Sequence, residues 1–138
     1  MHINYLALVV TTLIAVLLSA IYYVLLNKQV IAARSSVAKE TKNKRVDVRT
    51  TMTPNKFIVE FVRVFITGLV IGYAVILLGL HDFTSALLLA VWLWIGFPLV
   101  ILVGSVIHEH FPPKLAAIHA GDWLIKILLF TLVLAFWR

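Results

Sequence analysis

The chain has 138 residues, of which 62% are hydrophobic and only 13% charged, and its mean hydropathy is +1.04. A soluble domain of this length needs far more polar surface, so most of the chain must face lipid or other apolar helices. The formal net charge of +6 would suggest nucleic acid in a soluble protein, but the charges cluster in one loop and read as topology, with no nucleic-acid partner expected. Cysteine is absent, which excludes disulfides and thiolate chemistry.

A membrane span needs about 20 mostly apolar residues. Four runs meet that length, at roughly 3–26, 56–80, 83–107 and 115–137. In lipid each must be a helix, because only a helix satisfies its own backbone hydrogen bonds within one segment. Strands of a barrel would alternate polar and apolar residues, and these runs do not. The expected fold is all-α, an integral membrane four-helix bundle in one domain over 1–138. The last two connections are short, which makes the second, third and fourth spans expected antiparallel neighbours.

The first run opens MHINYLALVV, with no lysine or arginine before the apolar stretch. That stretch is longer than a signal-peptide core and no A-x-A site follows it, so it reads as a retained span. Tyr22 and Tyr23 near its end fit an interface belt. The loop 27–55 carries Lys28, Arg34, Lys39, Lys42, Lys44, Arg45 and Arg49, with Lys56 just beyond, against only Glu40 and Asp47. The positive-inside rule puts this loop in the cytoplasm, with the third link on the same side and both termini outside, in a membrane expected to be the bacterial cytoplasmic one. The loop serves either as a topology signal alone or also as a dock for anionic lipid headgroups or an acidic partner. Its first half, QVIAARSSVAKE, could extend the first helix, and Pro54 marks the start of the next.

The second run carries Glu60, Arg63 and Thr67 at i, i+3 and i+7, one stripe of a helix. Gly68 and Gly72 form a G-x-x-x-G step, with Gly79 on nearly the same face. Such a face admits close helix packing, either on another span or on a second subunit, and it is the expected homo-oligomer contact. In the third run Gly96 and Pro98 lie near the centre, where proline should kink the helix. Trp92 and Trp94 lie in its outer half. HEHFPPK brings His108, Glu109 and His110 together, but i and i+2 point to opposite sides of a helix. No metal site is expected there, and Pro112 and Pro113 mark a helix end.

The fourth run, KLAAIHAGDWLIKILLFTLVLAFWR, holds His119, Asp122 and Lys126 on one stripe. Asp122 and Lys126 form an i, i+4 pair with the acid first, the better orientation. Lys126 lies about 18 Å from Lys114 along the axis, near the midplane of a core about 30 Å thick. The second and fourth spans run in the same direction, so their stripes can align, Arg63 near the depth of Asp122 and Glu60 near that of His119. Two acids then meet two bases, with His119 as the titratable member. A lone charge at mid-bilayer costs about 2.5–3.5 kcal/mol on insertion scales. A mutual network lowers that cost. It acts either as structural glue between helices or as a proton or ion relay or substrate site.

The order of features also carries a family resemblance. Asn4 stands near the start of the first span and Tyr22-Tyr23 at its end, followed by a polar loop. W-x-G-F-P occurs in the third span and HAGDWLIKILL in the fourth. This pattern resembles domain-of-unknown-function family 1761, small bacterial membrane proteins, over nearly the whole chain. The resemblance implies four spans and brings no established activity, cofactor or site. The strongly basic first loop departs from the family pattern.

No nucleophile elbow, phosphate loop or supported Ser-His-Asp set is present, so neither enzymatic activity nor a cofactor is expected. The expected function is a small oligomeric transporter or channel, for which the polar stripe at mid-bilayer argues; four spans barely enclose a path, so assembly would be needed. The alternative is an accessory or scaffold subunit of a membrane complex, for which the minimal extramembrane mass and the basic loop argue.

Overall fold

The computed structural model describes residues 3–40 and 54–137, the side chains of 36–40 excepted. Lys42, Lys44, Arg45, Asp47 and Arg49 of the basic loop therefore lie outside the described residues. Six α-helices follow in order: α1 (Tyr5–Leu25), α2 (Asn27–Glu40), α3 (Pro54–Leu77), α4 (Phe83–Trp94), α5 (Val100–His108) and α6 (Pro113–Phe136), with a π-helical turn (Ile95–Leu99) joining α4 to α5. Among the described residues four helical stretches are long and apolar enough to cross a membrane: Tyr5–Leu25, Pro54–Leu77, Phe83–His108 and Pro113–Phe136. The chain is all-α, and its four spans agree with the sequence expectation to within a few residues at each end.

Local chemistry sets the helix ends. Asn4 caps α1, its side-chain oxygen accepting from the Ala7 N–H at 3.1 Å. Pro113 opens α6, where its missing N–H costs nothing. Gly79 does not pack against another helix. With φ at +62° it terminates α3: its N–H donates to the Ile76 carbonyl and the Leu80 N–H to the Val75 carbonyl, both at 3.1 Å. This is a Schellman ending, which a residue with a Cβ adopts at a cost. Gly79 thus leaves the packing role expected of it. His110, at φ 55°, turns the chain from α5 into α6.

Asp82 caps α4, accepting from the Ser85 N–H at 2.8 Å. The hydrogen bonds from Ser85, backbone first, hold its carboxyl below the ordinary carboxylate range. Because the folded value is depressed, the cap contributes above the unfolded-state pKa and is lost as pH falls through the folded one. Asp82→Asn is expected to retain protection of the Ser85 amide in acid where the wild type loses it. Hydrogen exchange at Ser85, normalised to the intrinsic rate at each pH, checks this.

The first half of the basic loop is helical. A single turn residue, Leu26, separates α1 from α2, and hydrogen bonds from Leu26 to Tyr22 and from Val30 to Leu26 carry across it. On α2, Val30 and Ala33 bury against Leu115 of α6, flanked by Tyr23, Leu26, Phe111 and Ile118. This segment is a packed element and not only a carrier of charge.

Helix α6 is the hub. It packs against α1, α2, α3, α4 and α5, and it is the most buried of the four spans. α1, α3 and α6 form a triangle around Leu8, Ala15, Val64, Ile71, Val75 and Phe130. The third span lies on the other side of α6 and is the least buried. Ala86 and Ala90 let α4 approach closely, and the Trp94 indole N–H donates to the Ala120 carbonyl at 2.8 Å. The expected side-by-side packing of the second and third spans does not occur along their lengths; α4 and α5 use α6 instead. Pro98 sits inside the π turn. The wider turn accommodates a residue that cannot donate to the ladder.

Candidate functional site

The face of α3 that carries Gly68 and Gly72 is occupied within the chain. The Phe130 ring of α6 lies against Gly68, where a Cβ would overlap it, and a Cβ on Gly72 would meet Leu134 Cδ1 at 3.1 Å. This corrects the expected use of these glycines between subunits. The close approach they permit joins α3 to α6 of the same chain, and that approach brings Glu60 within reach of Lys126.

Lys126 is only 2% exposed. Its Nζ lies 2.8 Å from Asp122 Oδ2 and 2.9 Å from Glu60 Oε1. Side chains of a helix lean toward its N-terminus, so the ammonium drops by about one turn to the level of both acids. Glu60 shares its carboxylate, Oε2 holding Arg63 Nη1 at 3.1 Å. Asp122 Oδ1 accepts from the Ser19 hydroxyl of α1. Trp123 adds its ring face, with Lys126 Nζ at 5.3 Å and Arg63 Cζ at 5.7 Å from the centroid. Among the described residues no buried side-chain nitrogen or oxygen lacks a hydrogen-bond partner.

Glu60, Arg63, Asp122 and Lys126 therefore form one connected set between α3 and α6. The expected Asp122–Lys126 pair forms, while the partners of Arg63 and His119 differ from the expectation. Arg63 pairs with Glu60 of its own helix, not with Asp122, and is 56% exposed. Lys126, reaching back along α6, is the group that joins Asp122 to Glu60. His119 faces α1 rather than Glu60: its Nδ1 pairs with the Tyr23 hydroxyl, and its ring stacks on Phe111 at 5.9 Å. Thr67 stands apart, its hydroxyl donating to the Arg63 carbonyl one turn back at 3.0 Å. In apolar surroundings a threonine satisfies itself that way.

Sequence reasoning missed Ser19 and Trp123, and read Tyr22 and Tyr23 only as an interface belt. Ser19, Tyr22 and Tyr23 stand at i, i+3 and i+4, one face of α1, at the end of the bundle nearest the basic loop. A serine within an apolar run, one turn before two tyrosines, was the available signal. Tyr22 packs its hydroxyl against Gly121, where a Cβ would collide.

A protein-family model described as "Protein of unknown function (DUF1761)" matches residues 6–135. The chain belongs to the DUF1761 family. Searches of curated proteins and of solved structures gave no match. The family match thus spans α1 to α6 of this DUF1761 chain, the whole charged set included, and carries no activity with it.

Proposed function

We propose that the protein is the protomer of a small membrane transporter or channel, in which the Glu60–Lys126–Asp122 set takes up and releases protons. The reading includes the basic loop on the cytoplasmic side, both termini outside, and no enzymatic chemistry. The observation that carries it is a buried lysine clamped between two carboxylates inside a span. Well-packed apolar residues would hold the same helices at no desolvation cost, and such replacements are often neutral or stabilising. Stability alone therefore gives little reason for three ionisable groups at this depth, whereas intramembrane acids and bases commonly mark ion and proton pathways. His119 and Tyr23, beside the set and nearer the basic loop, supply a second exchangeable pair.

The test is a pH jump on vesicles carrying the protein, adsorbed to a solid-supported membrane. A group that titrates within the membrane field displaces charge even when no substrate is present. The wild type is expected to give a transient current that Asp122→Asn abolishes. No current from the wild type would sink the proposal.

A second reading, an accessory subunit of a membrane complex, draws on the third span. That span packs on α6, and Leu88, Trp92, Phe97, Val100 and Ile101 remain exposed along it. Purification from native membrane separates the readings, since a subunit brings other chains with it and a self-assembling transporter brings only copies of itself.

A further inference from the structure

The exposed residues Val59, Val62, Ile66 and Val70 give α3 an aliphatic face turned away from the bundle. Arg63 stands on that same face, four residues after Val59 and three before Ile66, and it is more than half exposed. A guanidinium has five donors. Within the protein this one gives an ion pair to Glu60 Oε2, and its face lies near the Trp123 ring. Its side chain remains 56% exposed on a face otherwise made of valines and an isoleucine.

Depth decides what can meet it. Arg63 is about 13 Å from the start of α3, a helix about 36 Å long against a hydrocarbon core about 30 Å thick. It therefore enters the core by about 10 Å. Its side chain leans toward the helix N-terminus, which is the nearer membrane edge. A free hydrated anion does not partition among exposed valines, but an anion carried on apolar tails does. The bidentate geometry of guanidinium suits phosphate and carboxylate alike.

We propose that Arg63, backed by Trp123, binds the anionic headgroup, phosphate or carboxylate, of a membrane amphiphile whose tails run toward the midplane along Ile66 and Val70. The headgroup competes with Glu60 Oε2 for the guanidinium, while Glu60 Oε1 stays on Lys126. This site goes beyond the proton-handling role and does not depend on it. Its occupancy is read by labelling, whereas titration of the buried acids is read by charge displacement.

The experiment uses the full chain in phosphatidylcholine vesicles doped with photoactivatable phosphatidylglycerol, its diazirine close to the glycerol, or with the matching phosphatidylcholine probe. Labelled peptides are mapped by mass spectrometry. Labelling of residues 59–66 is expected to be about tenfold stronger with the anionic probe, because the choline ammonium offsets the phosphate charge that the guanidinium would otherwise meet in full. Arg63→Gln should bring it down to the phosphatidylcholine level while labelling elsewhere holds. Glu60→Gln removes the competitor and should raise it, which keeps the test open if Arg63→Gln fails to fold. Excess inorganic phosphate should leave the labelling unchanged. Equal labelling by the two probes, no response to Arg63→Gln, no rise with Glu60→Gln, or suppression by free phosphate would each overturn the proposal, the last by making this a site for soluble anions.

Discussion

Lys126→Met is expected to cost about 3–5 kcal/mol of stability, the usual penalty for removing one partner of a buried charge set. Methionine keeps the unbranched shape, so packing changes little and the loss reads the charge. The penalty arises because one ammonium serves two acids: without it Asp122 keeps only the Ser19 hydroxyl and Glu60 only the half-exposed Arg63. Asp122→Asn should cost less, since Lys126 then retains Glu60. Unfolding by titration with a denaturing detergent in mixed micelles, followed by circular dichroism, measures both. The triple change Glu60→Gln, Asp122→Asn, Lys126→Met should recover most of the loss by leaving no uncompensated charge. That variant also separates roles. If it folds but gives no pH-jump current, the set handles protons; if the current persists, the set is glue between helices. A Lys126→Met protein as stable as the wild type would mean that the ion pairs do not hold in the membrane.

The four spans were legible because lipid leaves the backbone no alternative to a helix, so hydropathy alone locates them. The charged residues were equally visible, since an ionisable group in an apolar run is conspicuous. The Asp122–Lys126 pair was legible too, as an i, i+4 pair, and it forms; the partners of Arg63 and His119 were not. Helical spacing says that Glu60 and Arg63 share a stripe, but not how α3 is rotated in the bundle. Packing through Gly68 and Gly72 sets that rotation: it turns Glu60 toward Lys126 and leaves Arg63 at the edge beside Val59 and Ile66. Depth matching by residue count also failed for Arg63 and Asp122, because long side chains reach about one turn away from their own Cα. The glycine step revealed a close approach and could not say whose helix approaches. Gly79 looked like part of that face only while α3 was extended past Leu77, where it in fact ends. The role of α1 escaped notice because Ser19 and the two tyrosines carry no charge, although Ser19 and Tyr23 hydrogen-bond to Asp122 and His119.

Gly68→Val is expected to force α3 and α6 apart. A Cβ at residue 68 overlaps three atoms of the Phe130 ring, and that ring is fully buried with no room to retreat. Overpacking of this kind costs about 1–3 kcal/mol. Here the consequence travels further, because Glu60 and Lys126 join the same two helices along their length. Helix separation lengthens that ion pair and weakens the whole set. Phe130→Ala alone should cost about 3–5 kcal/mol through the cavity it leaves. Combined with Gly68→Val it should cost much less than the sum, since the valine then fills part of the space vacated by the ring. A double-mutant cycle in mixed micelles reads this coupling directly. Mass by light scattering gives the complementary reading. With Phe130 of the same chain on Gly68, the mass in mild detergent should not respond to Gly68→Val once folded protein is selected. A lowered mass at unchanged stability, with no coupling to Phe130, would instead put a neighbouring subunit on that glycine.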